Sequence, residues 1–197
     1  MSEREQKAEG GGAARDLAKG LVAGMVGGFV ASLVMNQFQK LWQEASEGEQ
    51  RSHGAQSMQQ GAPDHGAGEM LRERGVESDD DDAAERTASA IAVGAFDQEL
   101  TESEKETAGT AVHYAFGSST GAFYGAAAEL LPALTAGAGA PFGAAVWLAA
   151  DEGIVPLLGL SKSPTEYPLA THAYSLAAHF VYGLTTEVVR RAVRKAL

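Results

Sequence analysis

Five ionisable side chains stand in stretches of the sequence that are otherwise nearly free of charge: His113, Asp151, Glu152, His172 and His179. An acid in an apolar stretch is costly unless it is partnered, and histidine is the side chain that ordinarily titrates nearest neutrality. Counted from Ala140, Asp151 lies eleven residues into its segment, and His179 lies eleven residues beyond Pro168. Eleven helical residues span about 16 Å, half of a bilayer core roughly 30 Å thick. The spacing predicts that Asp151 or Glu152 meets His179 across a helix interface and makes that contact sensitive to pH. The alternative for His179 is a neutral, hydrogen-bonded packing residue. His113 and His172 are expected together near the outer face. A metal site built from His113, His172 and His179 is disfavoured, because the two that share a segment are seven apart rather than three or four.

The elements that would carry these groups are apolar. Gly20 to Gln39 and Gly109 to Ala128 are each 20 residues without a charge, the length that crosses a bilayer as a helix. The rival for the first run is the core helix of a soluble protein, which would show a polar face that is missing here. A signal peptide is the other rival, but the run is longer than the usual apolar region of about 7–15 residues, and no small-residue cleavage site follows it. Both runs carry glycine at spacing four: Gly20, Gly24 and Gly28 in one, Gly117, Gly121 and Gly125 in the other. Small residues at that spacing let helix backbones approach closely. The third segment, about 138–160, carries Asp151 and Glu152 at its middle. It spans only if those acids face other helices or if it breaks near Gly153 and Pro156; otherwise it is re-entrant or interfacial. The fourth, 168–197, ends in a basic tail in which Glu187, Arg190 and Arg191 have the spacing of a surface ion pair. Ser118, Ser119 and Thr120 read as helix-packing polar residues. Tyr114, Tyr124, Tyr174 and Tyr182, with Trp42 and Trp147, read as interface anchors or packing.

The charge of this 197-residue chain is unevenly placed. Its 26 acids and 15 bases give a net −11. Residues 44–106 hold 17 of those acids and 5 bases, so that segment is −12 and the remainder +1. The stretch from Glu44 to Asp82 is too polar to offset its own ordering entropy and is expected to be mostly disordered, with His53 and His65 in solvent. Near 84–96 a short amphipathic helix is expected to lie on the membrane through Ile91, Val93 and Phe96. Thr101 and Glu104 then form a capping box that starts the second span. The acidic balance argues against nucleic acid as a partner. Without cysteine there is no disulfide frame or thiolate site. No GxSxG, Walker loop or HExxH occurs, so the chain is expected to be non-catalytic and to need no cofactor.

Basic residues precede the first span (Arg4, Lys7, Arg15, Lys19) and follow the last, while the third and fourth are joined through Lys162 alone. The positive-inside rule therefore places both termini in the cytoplasm, with an even number of spans. The expected architecture is all-α: a four-transmembrane-helix bundle with a long, acidic, mostly disordered external loop between its first two helices. It reads as a polar N-terminus over 1–19, spans at 20–42, 107–131, 138–160 and 168–197, and the loop at 43–106. The bilayer is the expected partner, with a second copy of the chain as a possible one.

From about residue 109 onward the sequence resembles the YagU-like family of bacterial inner-membrane proteins, a domain of unknown function. The resemblance is carried by His113, Gly121 to Gly125, Ala128-Glu129-Leu130-Leu131-Pro132, Val155-Pro156-Leu157-Leu158-Gly159-Leu160, and His179 followed by Glu187-Val188-Val189-Arg190-Arg191. The glycine-rich first span fits as well. The resemblance implies a multi-span protein of the bacterial plasma membrane and brings no established activity or catalytic residue. Two functional readings follow: a non-catalytic membrane protein whose histidines and acids tune packing or respond to pH, and a small proton- or ion-linked transporter using Asp151, Glu152 and His179.

Overall fold

With no charge from Gly20 to Gln39 to interrupt it, the first helix runs unbroken. In the computed structural model, which describes residues 3–46, 63–78 and 81–197, α1 covers Glu3–Ser46. Its 44 residues make a rod of about 66 Å, roughly twice a bilayer core. The polar segment 1–19 is thus helical from Glu3 onward, because Glu, Lys, Gln, Ala and Arg are good helix formers.

After α1 come α2 (Gly66–Glu73), α3 (Ala83–Phe96) and α4 (Glu102–Leu130). A 3₁₀ stretch at Pro132–Gly139 leads to α5 (Ala140–Ala149), a π-helical turn at Ala150–Ile154 and the short α6 (Val155–Leu157); α7 (Leu169–Ala196) completes the chain. Among the described residues every regular element is helical, as an all-α reading requires.

The two glycine arrays face each other. A Cβ at Gly24 would overlap the Gly121 carbonyl oxygen, one at Gly28 that of Gly117, and one at Gly125 that of Gly20. This register makes α1 and α4 antiparallel, backbone against backbone. A second seam joins α5 to α7, where Gly139 and Gly143 meet Gly183 and the His179 carbonyl. The turn between α4 and α5 reverses through positive φ at Gly137, Ala138 and Gly139. Four long segments therefore run alternately up and down around a small core of Ala31, Met35, Ala178 and Tyr182.

The large apolar side chains point outward instead. Phe123 is 75 % exposed, Leu157 79 % and Leu169 82 %, and Leu21, Val22, Phe29, Leu148 and Leu184 are also exposed. Among the described residues two stretches, Gly11–Trp42 and Pro132–Leu157, are long and apolar enough to cross a membrane. Serine, threonine, histidine and charge dilute α4 and α7 below that measure.

The third segment breaks beside Pro156. Proline lacks an N–H and its ring collides with the carbonyl four residues back. The ladder widens there, and the Val155 N–H reaches the Ala150 carbonyl five residues back. The resulting bulge turns Asp151 inward at 5 % exposure.

Disorder from Glu44 to Asp82 is corrected for the residues described. Residues 47–62, with His53, and residues 79–80 lie outside them, but Glu44–Ser46 belong to α1 and residues 63–78 are ordered, ahead of the Ala83 expected. The α2 backbone donates from Ala67 to Leu158 O at 2.9 Å and from Gly68 to Gly159 O at 2.8 Å, and Leu71 is fully buried. His65 Nε2 donates to Pro156 O at 2.9 Å. That carbonyl, then Asp64, favours the protonated ring and raises the pKa of His65. This contact is therefore at full strength below the ordinary histidine value and fades as pH rises through the raised one.

The helix starts follow the expected chemistry. Asp82 caps α3 by accepting from Ala84 N at 2.8 Å and Glu85 N at 2.9 Å. The Thr101–Glu104 box opens α4. Ile91 and Phe96 are exposed on α3, but Val93 is buried, so the three do not share the membrane-facing side expected of them. Two buried cations tie this end together. Arg86 donates to Leu160 O and Ser78 O and pairs with Glu77 at 3.5 Å. Lys105 lies 3.0 Å from both Asp81 and Glu102. Burial alone would lower the Lys105 ammonium, but those two carboxylates outweigh it and hold its pKa above the ordinary value.

Candidate functional site

The π-helical turn presents two successive carboxylates to α7 at different heights. Asp151 Oδ2 accepts from Ser175 Oγ at 2.5 Å and lies 3.7 Å from His179 Nδ1. His179 Nδ1 donates to the Ser175 carbonyl at 2.9 Å, one helical turn back, which fixes its tautomer and ring plane. Asp151 thus meets His179, but its shorter bond is to Ser175. The Ser175 proton points at a carboxylate and not at an imidazole, so this trio holds an acid in place and does not prime a hydroxyl for attack.

Glu152 finds the other histidine. Its Oε1 lies 2.5 Å from His172 Nδ1, while His172 Nε2 donates to Pro164 O at 3.0 Å. With Nε2 committed as a donor, a single proton is left to bridge Nδ1 and Oε1, carried by ring or carboxyl. The pair is a short hydrogen-bonded contact between the broken third segment and α7.

His113 and His172 are not together, contrary to the sequence expectation. His113 lies on α4 in the wall of a central cavity of about 560 Å³ that it shares with Asp151, Ser175 and His179. His172 lies outside that lining, turned toward Glu152 and Pro164. Among the described residues no three His, Asp or Glu side chains are grouped to hold a metal ion. The cavity runs between α1, α4, the third segment and α7, and the start of α3 covers its acidic end through Asp82 to Glu85. Its polar wall is ordered: Asn36 Nδ2 donates to Tyr114 Oη at 3.1 Å, and Tyr182 Oη donates to Gly117 O at 2.6 Å with Thr120 Oγ1 at 2.7 Å. His113 Nε2 is buried without a hydrogen-bond partner among the described residues.

A second polar centre escaped the sequence reading. Glu187 is 1 % exposed and Arg190 7 %, so this is not a surface ion pair. Glu187 Oε2 accepts from Tyr124 Oη at 2.9 Å and Arg190 Nε at 2.7 Å; Oε1 accepts from Arg190 Nη2 at 3.0 Å and Arg191 Nε at 2.5 Å. Beside it Arg194 donates to both oxygens of Glu129 and to Asp16. Lys19 Nζ donates to the Leu197 carbonyl at 2.6 Å. The helical spacing of Glu187 with Arg190 and Arg191 is the same on a surface and in a core. The one clue to burial was their continuity with the small residues Gly183 and Thr186.

The glycines Gly20, Gly24, Gly28, Gly117, Gly121 and Gly125 all lie in the α1–α4 seam. Tyr124, Tyr174 and Tyr182 are buried, whereas Trp42 is exposed. These rings therefore pack the interior, and Phe142 stacks on Tyr124 at 4.2 Å.

No curated protein and no solved structure matches the chain. A family model does, and it spans the helices that carry His113, Asp151, Glu152, His172, His179 and Glu187. With residues 88–188 matched, the chain belongs to the protein family of unknown function DUF1440, in keeping with its YagU-like resemblance.

Proposed function

We propose that this is a four-pass protein of the bacterial inner membrane in which α1, α4, the segment 138–160 and α7 cross the bilayer. The observation that carries the reading is the reversal of sides. Glycine, tyrosine and ion pairs are inside, while Leu21, Phe29, Phe123, Leu148 and Leu184 face out, an order that water penalises and lipid rewards. Asp16, Glu129, Arg194 and Leu197 gather at one end, and α2 and α3 sit at the other, which supports an even number of crossings. A membrane-impermeant maleimide is expected to label Glu99→Cys in intact cells and Lys195→Cys only in opened ones. Labelling of both in intact cells, or a purified chain monodisperse without detergent or lipid, overturns the topology.

Within that frame the protein acts without catalysis, as a packing unit whose carboxylate–histidine contacts respond to pH. The Glu152–His172 bridge is the contact this reading rests on, because it joins the bulge to α7 at a point where the backbone is already irregular. His179, Asp151 and His113 line the neighbouring cavity instead. On changing pH between about 5 and 8, the infrared difference spectrum of the lipid-embedded protein is expected to contain a carboxyl band that Glu152→Gln removes. Identical spectra for wild type and Glu152→Gln sink the idea. The cavity beside Asp151 favours a second reading, proton- or ion-linked transport. It requires proton flux in liposomes that Asp151→Asn abolishes while leaving the fold intact.

A further inference from the structure

The cavity is larger than its internal contacts need. At about 560 Å³ it falls in the range of small-molecule sites, roughly 300–1,000 Å³. Among the described residues, every formally charged side chain in its wall is an acid: Asp82, Glu85, Glu106 and Asp151, with no lysine or arginine among them. Carboxylates in low-dielectric walls focus a negative potential into the space they enclose. The amino end of α3, which would otherwise attract an anion, is already neutralised by the Asp82 carboxylate on Ala84 N and Glu85 N. The acids come from three different elements and do not converge as metal ligands do among the described residues. The remaining wall combines polar side chains, such as Asn36, Thr120 and Ser175, with apolar and aromatic ones, among them Phe116, Tyr174 and Tyr182; aromatic faces receive a weakly hydrated cation. His113 adds a buried ring nitrogen with no hydrogen-bond partner among the described residues.

We propose that this cavity binds a monovalent organic cation with an apolar body, a protonated amine or quaternary ammonium, with the Asp151 carboxylate as its counter-ion. The size, the sign of the wall and its aromatic content each select that class: an anion meets four carboxylates, and a small hydrated metal ion leaves most of the space empty. The site shares Asp151 with the proposed pH-responsive contacts but not the Glu152–His172 bridge, which lies outside the cavity. Loss of the carboxyl band in Glu152→Gln and ligand binding therefore succeed or fail independently.

Tetraphenylphosphonium and tetraphenylborate have the same shape and opposite charge, and they test the proposal on the full chain in lipid nanodiscs against empty nanodiscs. The expected result is saturable binding of one tetraphenylphosphonium per chain and no saturable binding of tetraphenylborate. Asp151→Asn weakens the cation at least about tenfold, and Val146→Phe, which fills the wall without touching charge, blocks it. Equal binding of both ions marks a merely greasy cavity filled by acyl chains and overturns the proposal. So does absence of binding by either, or cation binding indifferent to both substitutions. The two-ion comparison on the unaltered chain decides the matter even if a variant fails to fold.

Discussion

Gly24→Val is expected to push α1 away from α4 and to lower the melting temperature of the folded state sharply. A Cβ at this position overlaps the Gly121 carbonyl oxygen and stands 2.8 Å from Gly125 Cα and 2.9 Å from its nitrogen. All three are backbone atoms of a helix, so no rotamer change relieves the clash, and the helices must move apart along the whole seam. Overpacking costs about 1–3 kcal/mol where side chains can shift, and a backbone obstruction sits at or above the top of that range. In lipid the penalty is not offset elsewhere, since close packing is itself what drives helices together. A loss of about 3 kcal/mol lowers the melting temperature by on the order of 10 °C for a chain of this size. Gly94→Ala sets the contrast. Nothing lies within 4 Å of its Cβ position, so alanine contributes only its better helix propensity, about 1 kcal/mol, and the melting temperature rises. Thermal size-exclusion profiles of the two variants in detergent check both signs. A Gly24→Val protein as stable as wild type would remove the seam from the fold.

The seam shows what the sequence makes legible. Spacing four in 20–28 and 117–125 identifies two close-packing faces, because a helix brings every fourth residue to one side. That these faces meet each other, antiparallel, is a long-range fact, since either array pairs equally well with any smooth helix. The break at Gly153–Pro156 was legible for a local reason, the missing N–H of proline. Its consequence was not: the π turn inserts a residue and rotates Glu152 away from Asp151, sending it to His172 while Asp151 takes Ser175 and His179. Segment 63–78 misled by composition. Its few apolar residues cannot form a core alone, but Leu71 is buried, and Ala67 and Gly68 borrow the carbonyls of Leu158 and Gly159, partners more than 80 residues away. Glu187 misled for the opposite reason, since a plain ion-pair spacing carries no information about depth.

Depth is what makes Glu187 a consequential charge. Its carboxylate receives four hydrogen bonds from Tyr124, Arg190 and Arg191, so Glu187→Leu leaves Arg190, 7 % exposed, as a buried cation. Removing one member of such a pair costs about 3–5 kcal/mol, mostly from the stranded charge and less from the lost attraction. Arg191 contributes little to the penalty, since its side chain is 53 % exposed and can turn to solvent. Glu129 softens the effect only slightly: it lies 3.7 Å from Arg190 and is already held by Arg194 at 2.8 Å. The double variant Glu187→Leu with Arg190→Met removes both charges and keeps the volume, and should recover most of the stability that the single change loses. Melting temperatures of wild type, both single variants and the double variant close this cycle. If the double variant is as unstable as Glu187→Leu, the cost lies in the packing of Tyr124 and not in the stranded guanidinium.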